Sequence, residues 1–173
     1  MNLKFETINF EIIENIAIIR LNRPNSYNSL NAKMAKELLE ISYECDTNKK
    51  IRAIILTGEG DKAFCAGGDL KSFHETGNVA KHLKMVTHDL HGAITKFSRM
   101  NSPLIVAVNG VAAGAGLSFV GFADLAIAKS SATFVSAYTK AGLTPDGSSS
   151  YYLPRIIGTV SYTHLTLPTK VEV

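Results

Sequence analysis

Short apolar runs alternate with longer helix-like segments along this chain, and this alternation limits the possible folds more than any other feature. The runs 51–57, 104–108 and 125–128 consist mainly of Ile, Leu, Val and Ala, and they have the length of strands. The first of them is predicted to be buried on both faces of a sheet. The segment 79–100, which separates the first two runs, has helical composition. Strands that alternate with helices predict an α/β fold built in layers.

The N-terminal part of the chain adds a hairpin and an amphipathic helix to this pattern. Apolar residues alternate from Phe5 to Leu21 and are interrupted by Glu14 and Asn15, which predicts two strands joined by a tight turn. Asn31 is a suitable helix N-cap, and four apolar residues after it share one helical face because their spacings are four, three and four residues. They are Met34, Leu38, Ile41 and Cys45. The helix is predicted to end near Thr47.

Composition indicates a single globular domain and excludes several classes of partner. With 173 residues, 46% of them hydrophobic, the chain is long enough for one core. Its net charge of +3 is small, and its basic residues are scattered among acids, so no nucleic-acid partner is expected. No stretch resembles a membrane span or a secretory signal, and the two cysteines, Cys45 and Cys65, suit a reducing compartment. We therefore expect a cytoplasmic protein without a membrane partner.

Two glycine-rich junctions, at residues 64–69 and 109–116, are the strongest functional signal. The second leads directly into a predicted helix at 117–122. Residues without side chains let a ligand approach the main chain, and amides at a helix start carry the positive end of the helix dipole. Two such amides that converge would bind an oxygen that gains negative charge. The alternative is that the glycines only permit tight turns and close packing.

Three motifs resemble those of the enoyl-CoA hydratase/isomerase, or crotonase, family. They are Leu-Asn-Arg-Pro at 21–24, Lys-Ala-Phe-Cys-Ala-Gly-Gly-Asp-Leu at 62–70 and Ala-Val-Asn-Gly at 107–110. Their order and spacing also agree with the family, and the resemblance covers residues 12–158. It implies a crotonase-like α/β fold of repeated β-β-α units that binds acyl-CoA thioesters, with the family's C-terminal helical segment missing from this chain.

The resemblance also implies where an acyl-CoA would bind. The backbone amides of Gly68 and Ala115 correspond to the family's oxyanion hole, which binds the thioester carbonyl oxygen. Coenzyme A, as part of the substrate and not as a separate cofactor, is expected along residues 23–27 and 66–70. The implied substrate-binding residues are Arg23, Ser26, Tyr27, Ala66, Gly67, Gly68, Asp69 and Leu70. For Arg23, a phosphate contact and a solvated turn residue are the two open interpretations.

The same resemblance favours double-bond isomerisation over hydration. The two glutamates with which family hydratases activate water correspond to Ser118 and Tyr138, and neither residue is a base near neutral pH. Asp146 lies where related isomerases, including the ring-opening phenylacetate-pathway isomerase, have their single acid/base residue. It is predicted to move the proton, although its position before Gly147 and three serines also fits a helix N-cap. Hydration, and acyl-CoA binding without catalysis, are the alternatives.

Two other groups of residues are weaker candidates. His88 and His91 lie three residues apart on a predicted helix, but no third ligand accompanies them, so no metal site is expected and solvated side chains are the simpler interpretation. Cys65 lies in the first glycine-rich junction, yet the sequence places no histidine beside it. We interpret Cys65 as a packing residue.

The last segment, 161–173, continues no pattern of the preceding chain. Its stretch Tyr-Thr-His-Leu-Thr-Leu-Pro-Thr resembles translated sequencing-adapter sequence at the ends of metagenomic gene fragments. We therefore predict an incomplete acyl-CoA-binding domain over residues 1–160 and an artefactual tail over 161–173. In the family, the C-terminal helical segment closes the site and builds the oligomer, so a homotrimer or hexamer is expected for the full-length protein.

Overall fold

The computed structural model describes residues 4–74 and 76–166 of the chain. The order of its strands and helices is β1 (Ile8–Ile13), β2 (Ile16–Leu21), α1 (Ala32–Thr47), β3 (Ala53–Gly58), β4 (Ala63–Cys65), α2 (Leu70–His74), α3 (Val79–Phe97), β5 (Leu104–Val108), β6 (Val111–Ala113), α4 (Ala115–Phe122), β7 (Leu125–Ala128), β8 (Thr133–Val135), α5 (Ser149–Ile157) and α6 (Thr159–Thr166).

β1 and β2 form the predicted antiparallel hairpin. Glu14 and Asn15 make its two-residue turn, and both have positive φ, at 48° and 70°, as the favoured hairpin turns require. The register pairs Ile13 with Ile16 next to the turn, so the strands lie opposite each other from the first residue. The prediction of a hairpin within residues 5–21 is confirmed.

Two sheets organise the rest of the fold. The larger sheet has the order β1-β2-β3-β5-β7, and every pairing after the hairpin is parallel. The smaller sheet contains β4, β6 and β8, also in parallel. Each of the pairs β3/β4, β5/β6 and β7/β8 adds one strand to each sheet before the chain continues into a helix. The architecture is therefore the predicted series of β-β-α units.

Two of the three strands of the smaller sheet, β4 and β6, were not predicted from the sequence, whereas β8 matches a short strand predicted at residues 133–135. β4 and β6 fall in the stretches that the glycine content predicts to be loops, and each has only three residues. Three residues are too few for a hydrophobic period to be recognised. These short strands nevertheless place the two glycine-rich junctions next to each other, because β4 and β6 are neighbours in the sheet.

The core joins the larger sheet to α1 and α3. Their inward-facing residues form one cluster with β2, β3 and β5, and Leu38 and Ile94 are among its fully covered side chains. Along β3, Ile54 and Leu56 are buried, but Ile55 is only half-buried. The prediction that this strand is buried on both faces is therefore wrong, because alternate side chains point to a face that is only partly covered.

The helix starts agree with the sequence in one place and differ in another. Asn31 Oδ1 accepts the Met34 N–H at 2.9 Å, and α1 ends at Thr47, both as predicted. α4 begins at Ala115 and not at 117, so part of the second glycine-rich junction belongs to the helix.

The predicted boundary at residue 160 falls inside α6, and residues 167–173 lie outside the described residues. The artefactual tail stays a prediction.

Candidate active site

A cavity of about 250 Å³ lies between the loop before α2, helix α3 and the segment before α5. Its walls include Gly68, Ala115 and Asp146, and Asp146 is the only carboxylate among the lining residues that the structure describes. Most of the other lining side chains are apolar, among them Leu30, Phe73, Leu83, Val86, Leu90 and Leu143. A largely apolar pocket with a few polar groups in one place is typical of a small-molecule site.

Two glycine-rich segments meet at this cavity, and we name them the first amide loop (residues 66–69) and the second amide turn (residues 113–116). Gly67 and Gly114 have φ values of 99° and 51°, which glycine adopts without steric cost. A methyl group on Gly67 would lie 3.0 Å from the Ala113 carbonyl oxygen and 3.5 Å from the Gly114 Cα. The lack of side chains therefore lets the two main chains touch.

The Gly68 N–H is directed away from Leu30, because the residues on both sides of Gly68 bond to Leu30. The Leu30 N–H donates to the Gly67 carbonyl at 2.7 Å, and the Asp69 N–H donates to the Leu30 carbonyl at 2.8 Å. In such a parallel bridge the central residue directs its own N–H and C=O away from the partner strand. No hydrogen bond within the described residues uses the Gly68 N–H, which leaves it able to bind a ligand.

The Ala115 amide occupies the first position of α4, where N–H groups have no acceptor within the helix. The Gly114 N–H donates to the Val135 carbonyl at 3.1 Å, and the Ser118 N–H closes the first turn on the Gly114 carbonyl at 3.0 Å. The helix dipole adds positive potential at this amide. The structure thus brings Gly68 and Ala115 to one cavity, and their role as an oxyanion hole stays a prediction.

Asp146 reaches the cavity from the segment before α5 and contacts a histidine that sequence reasoning did not connect with it. His91 Nε2, on α3, lies 2.7 Å from Asp146 Oδ1, and both side chains are partly exposed. The alternative interpretation of Asp146 as a helix cap is wrong, because α5 begins at Ser149 and its N-cap is Ser148. The interpretation of His91 as a solvated helix residue agrees with its 47% exposure on α3, but the sequence did not indicate that Asp146 is its partner. No local signal marks this contact, since 55 residues separate its partners.

The two segments predicted to bind coenzyme A lie side by side. The Ala66 N–H donates to the Tyr27 carbonyl at 3.0 Å, which joins the first amide loop to the turn after Pro24. Ser26 ends a short 3-10 turn, while Tyr27 and Leu70 are half-exposed at the surface. The predicted residues are therefore close to one another, and their contact with coenzyme A stays a prediction.

Arg23 and Asp69 form an ion pair between these two segments. Arg23 Nη2 lies 2.8 Å from Asp69 Oδ2, and the side chains are only 19% and 14% exposed. Burial acts to raise the pKa of the Asp69 carboxyl, but the Arg23 bond and the Ser72 amide outweigh it, so the pKa lies below its ordinary value. The interpretation of Arg23 as a solvated turn residue is wrong, because its guanidinium is held by protein groups.

Comparison with known proteins assigns this arrangement of strands, loops and cavity to a family. The family profile described as "Enoyl-CoA hydratase/isomerase" matches residues 11–170. The chain belongs to the enoyl-CoA hydratase/isomerase family. The resemblance stated from the three motifs is thereby confirmed.

Two relatives and one solved structure show the breadth of the family around this chain. It is 36% identical over 153 residues to 4-chlorobenzoyl coenzyme A dehalogenase-2 of an Arthrobacter species, covering 87% of this chain and 55% of that protein. It is 36% identical over 155 residues to 1,2-epoxyphenylacetyl-CoA isomerase of Escherichia coli, covering 88% and 59%. The crystal structure of enoyl-CoA hydratase from Bacillus anthracis matches with a TM-score of 0.87 at 29% identity, covering 93% and 62%. The crotonase-like fold is confirmed, and this chain spans less than two thirds of these relatives.

The two positions at which the resemblance expects hydratase glutamates are adjacent in this family member. Tyr138 Oη lies 3.0 Å from Ser118 Oγ, and Ser118 Oγ donates to the Asp146 carbonyl at 2.8 Å. Burial raises the pKa of Tyr138 to about 12, so its hydroxyl is protonated at neutral pH. The pair supplies hydrogen bonds beside Asp146 but no basic oxygen of its own.

Three further predictions concern Cys65, metals and membranes. Cys65 is fully buried in the core cluster, and burial raises the pKa of its thiol to about 12, in agreement with the packing interpretation. Within the described residues, no group of three or more His, Cys, Asp and Glu side chains could hold a metal ion. No helix in that same part of the chain combines the length and the apolar character that crossing a bilayer demands.

Proposed function

We propose that this chain carries the active site of an enoyl-CoA isomerase, which moves a carbon–carbon double bond of an acyl-CoA thioester. The observation that carries the proposal is the composition of the cavity. Within the described part of the chain, its walls contain Gly68 and Ala115 on adjacent glycine-rich segments and a single carboxylate, Asp146. Isomerisation needs one base and one site for a negatively charged oxygen, and these groups meet that requirement.

The proposed reaction moves one proton and leaves the composition of the substrate unchanged. The Gly68 and Ala115 amides bind the thioester oxygen of a 3-enoyl-CoA, which makes the hydrogens on C2 acidic. The Asp146 carboxylate takes a proton from C2, and the electron pair moves into a dienolate that ends on the bound oxygen. The same carboxyl group returns the proton to C4, which produces the conjugated 2-enoyl-CoA. His91, at 2.7 Å, holds the carboxylate in position for both transfers.

Two observations support isomerisation over hydration. Hydration needs a water molecule that is activated by a base, and the two positions of the family's hydratase glutamates hold Ser118 and Tyr138 here. The pKa of about 12 keeps Tyr138 protonated, so it donates hydrogen bonds and does not take up protons at neutral pH. Among the described residues that line the cavity, Asp146 is therefore the one carboxylate that can act as the base.

The proposal also covers the ligand and the assembly. Coenzyme A enters as part of the substrate and lies along residues 23–27 and 66–70, which the Ala66–Tyr27 hydrogen bond holds together. No separate cofactor takes part, because the thioester accepts the charge and the protein moves the proton. The full-length protein assembles as a homotrimer or hexamer.

The test compares turnover of a 3-enoyl-CoA and a 2-enoyl-CoA by the unmodified chain and by Asp146→Asn. The unmodified chain is expected to increase conjugated absorbance from the 3-enoyl-CoA. Asp146→Asn should lower that rate by about 10²- to 10⁴-fold, the usual contribution of a general base, while acyl-CoA binding persists. Asp89→Asn, on α3 outside the cavity lining, is the control and should keep full turnover.

Every other outcome would contradict part of the proposal and support a different function. Loss of conjugated absorbance from the 2-enoyl-CoA without bond migration would identify a hydratase. Binding of both thioesters without turnover would identify an acyl-CoA-binding protein. Full turnover by a folded Asp146→Asn variant would remove Asp146 from the reaction.

A second candidate function is hydrolytic dehalogenation of an aryl-CoA, and the His91–Asp146 contact favours it. A carboxylate beside a histidine has the composition of a nucleophile with a general base. Asp146 would attack the halogenated ring carbon and release halide, and water deprotonated by His91 would then hydrolyse the aryl ester to a phenol. One of the relatives is named for this reaction on 4-chlorobenzoyl-CoA. Chloride release from that compound, abolished by His91→Gln, would establish it.

A further inference from the structure

The guanidinium of Arg23 bonds to protein groups on both sides of the bridge that orients Gly68. Arg23 Nη1 donates to the Ser29 carbonyl at 2.6 Å, and Arg23 Nη2 donates to Asp69 Oδ2 at 2.8 Å. Ser29 directly precedes Leu30, and Asp69 directly follows Gly68. One side chain therefore joins the two segments that form the Leu30–Gly68 bridge.

Asp69 connects the Arg23 ion pair to the main chain of the first amide loop through its own hydrogen bonds. Its N–H donates to the Leu30 carbonyl at 2.8 Å, and its Oδ1 accepts the Ser72 N–H at 3.2 Å. The Ser72 hydroxyl donates to the Asp69 carbonyl at 2.9 Å, which closes the first turn of α2 on the same residue. Asp69, the residue that follows Gly68, is thus held by its side chain, its N–H and its carbonyl together.

We propose that Arg23 is a positioning residue that aims the Gly68 N–H at the thioester oxygen, and that it is not a ligand of a coenzyme A phosphate. The inference rests on the proposed function, because it assigns the Gly68 amide to the oxyanion hole. Two of the three guanidinium nitrogens are already bonded, and the side chain is only 19% exposed. A phosphate could use this fork only by displacing the Asp69 carboxylate.

The geometry also explains why an arginine is needed at position 23. A planar guanidinium presents donors in a fixed fork, whereas a lysine presents a single ammonium group on a flexible stem. Lysine could bond either the Ser29 carbonyl or Asp69, and the other segment would lose its tether. A hydrogen-bond donor that moves by about 1 Å loses most of its effect on a reacting oxygen.

The experiment measures the thioester carbonyl of bound hexanoyl-CoA, labelled with ¹³C at C1, by isotope-edited infrared spectroscopy. Hydrogen bonds lower the carbonyl stretching frequency, so the shift on binding reports the two amides without any need for turnover. We expect Arg23→Ala to lose at least half of the wild-type shift. The loss should be the same for hexanoyl-CoA and for its 3′-dephospho analogue, and the dissociation constants of the two should change by equal factors.

Two further variants distinguish loss of the ion pair from unfolding and from a general effect of removing one positive charge. Asp69→Asn removes the ion pair with a side chain of nearly the same shape, and it should reproduce the loss. Arg20→Ala removes an equal charge from a surface pair with Glu11, at 3.3 Å, and should keep the full shift. Circular dichroism confirms that each variant is folded.

The outcomes separate this inference from the proposed function. A wild-type shift that persists in Arg23→Ala and Asp69→Asn would overturn the positioning role alone. Weaker binding of hexanoyl-CoA, but not of the 3′-dephospho analogue, would also overturn it and identify Arg23 as a phosphate ligand. Absence of a shift in the bound wild-type complex would overturn the oxyanion hole itself, and the inference with it.

Discussion

The first amide loop and the second amide turn both line one cavity, but different contacts hold them in place. The first is held by the Arg23–Asp69 side-chain pair together with backbone bonds to Tyr27 and Leu30. The second is held by main-chain bonds and by the eight-residue helix α4, with Gly116 packed against Cys65. Added volume should therefore disturb both segments, whereas loss of the Arg23–Asp69 pair should disturb the first amide loop alone.

The largest loss in the free energy of unfolding should come from Gly116→Ala, which adds volume in the second amide turn. The added methyl group would overlap the Cys65 carbonyl oxygen and lie 3.0 Å from its carbonyl carbon, and these backbone atoms belong to β4. We expect a loss of about 3 kcal/mol or more in the free energy of unfolding, at the upper end for overpacking. Urea denaturation measures it.

The matched control for this substitution is Gly77→Ala. A Cβ atom at Gly77 would meet nothing within 4 Å, so the change should stay within about 0.5 kcal/mol. Equal stability of the two variants would show that the close approach of Gly116 to Cys65 does not hold the turn.

A smaller effect should come from Asp69→Asn, which loosens the first amide loop. The folded-state pKa of Asp69 is lowered, so its charge stabilises the fold above the unfolded pKa of about 4 and this contribution is lost as the pH falls through the folded value. At pH 7 the variant should be less stable by about 2 kcal/mol, as for a hydrogen bond to a charged group. The difference should shrink below pH 4.

Urea titrations at pH 7 and at successively lower pH values test this prediction, with Asp89→Asn as the control. A gap between wild type and Asp69→Asn that stays constant down to pH 2 would contradict it. Such a result would mean that the side chain stabilises the loop by its shape and not by its charge.

The smallest loss in the free energy of unfolding should come from Arg20→Ala. This variant sharpens the contrast between Arg23, which bonds to buried protein groups, and Arg20, which lies at the surface. Arg20 bonds Glu11 at 3.3 Å, and both side chains are exposed on the hairpin. Exposed pairs contribute about 0.5 kcal/mol or less, and salt weakens them. A destabilisation as large as that of Asp69→Asn, or one that is insensitive to salt, would show that the hairpin has a larger role in stability.

Local sequence patterns were sufficient to predict the elements that several nearby residues specify together. The hairpin follows from its alternation and from Glu14 and Asn15 at the turn, and α1 follows from the Asn31 cap and its apolar stripe. The three-residue strands β4 and β6 were missed because a period cannot be read from so few residues. Their absence from the prediction hid how closely the two glycine-rich segments approach each other.

The sequence by itself determined the family, the alternation of strands and helices, and the residue types that the cavity needs, because these depend on neighbours in the chain. The tertiary structure alone decided which of those residues act together. His91 meets Asp146 across 55 residues and Arg23 meets Asp69 across 46. Contacts between residues so far apart in the sequence arise from how helices and loops pack against the sheets. That packing, and not the local sequence pattern, determines the partner of a polar side chain.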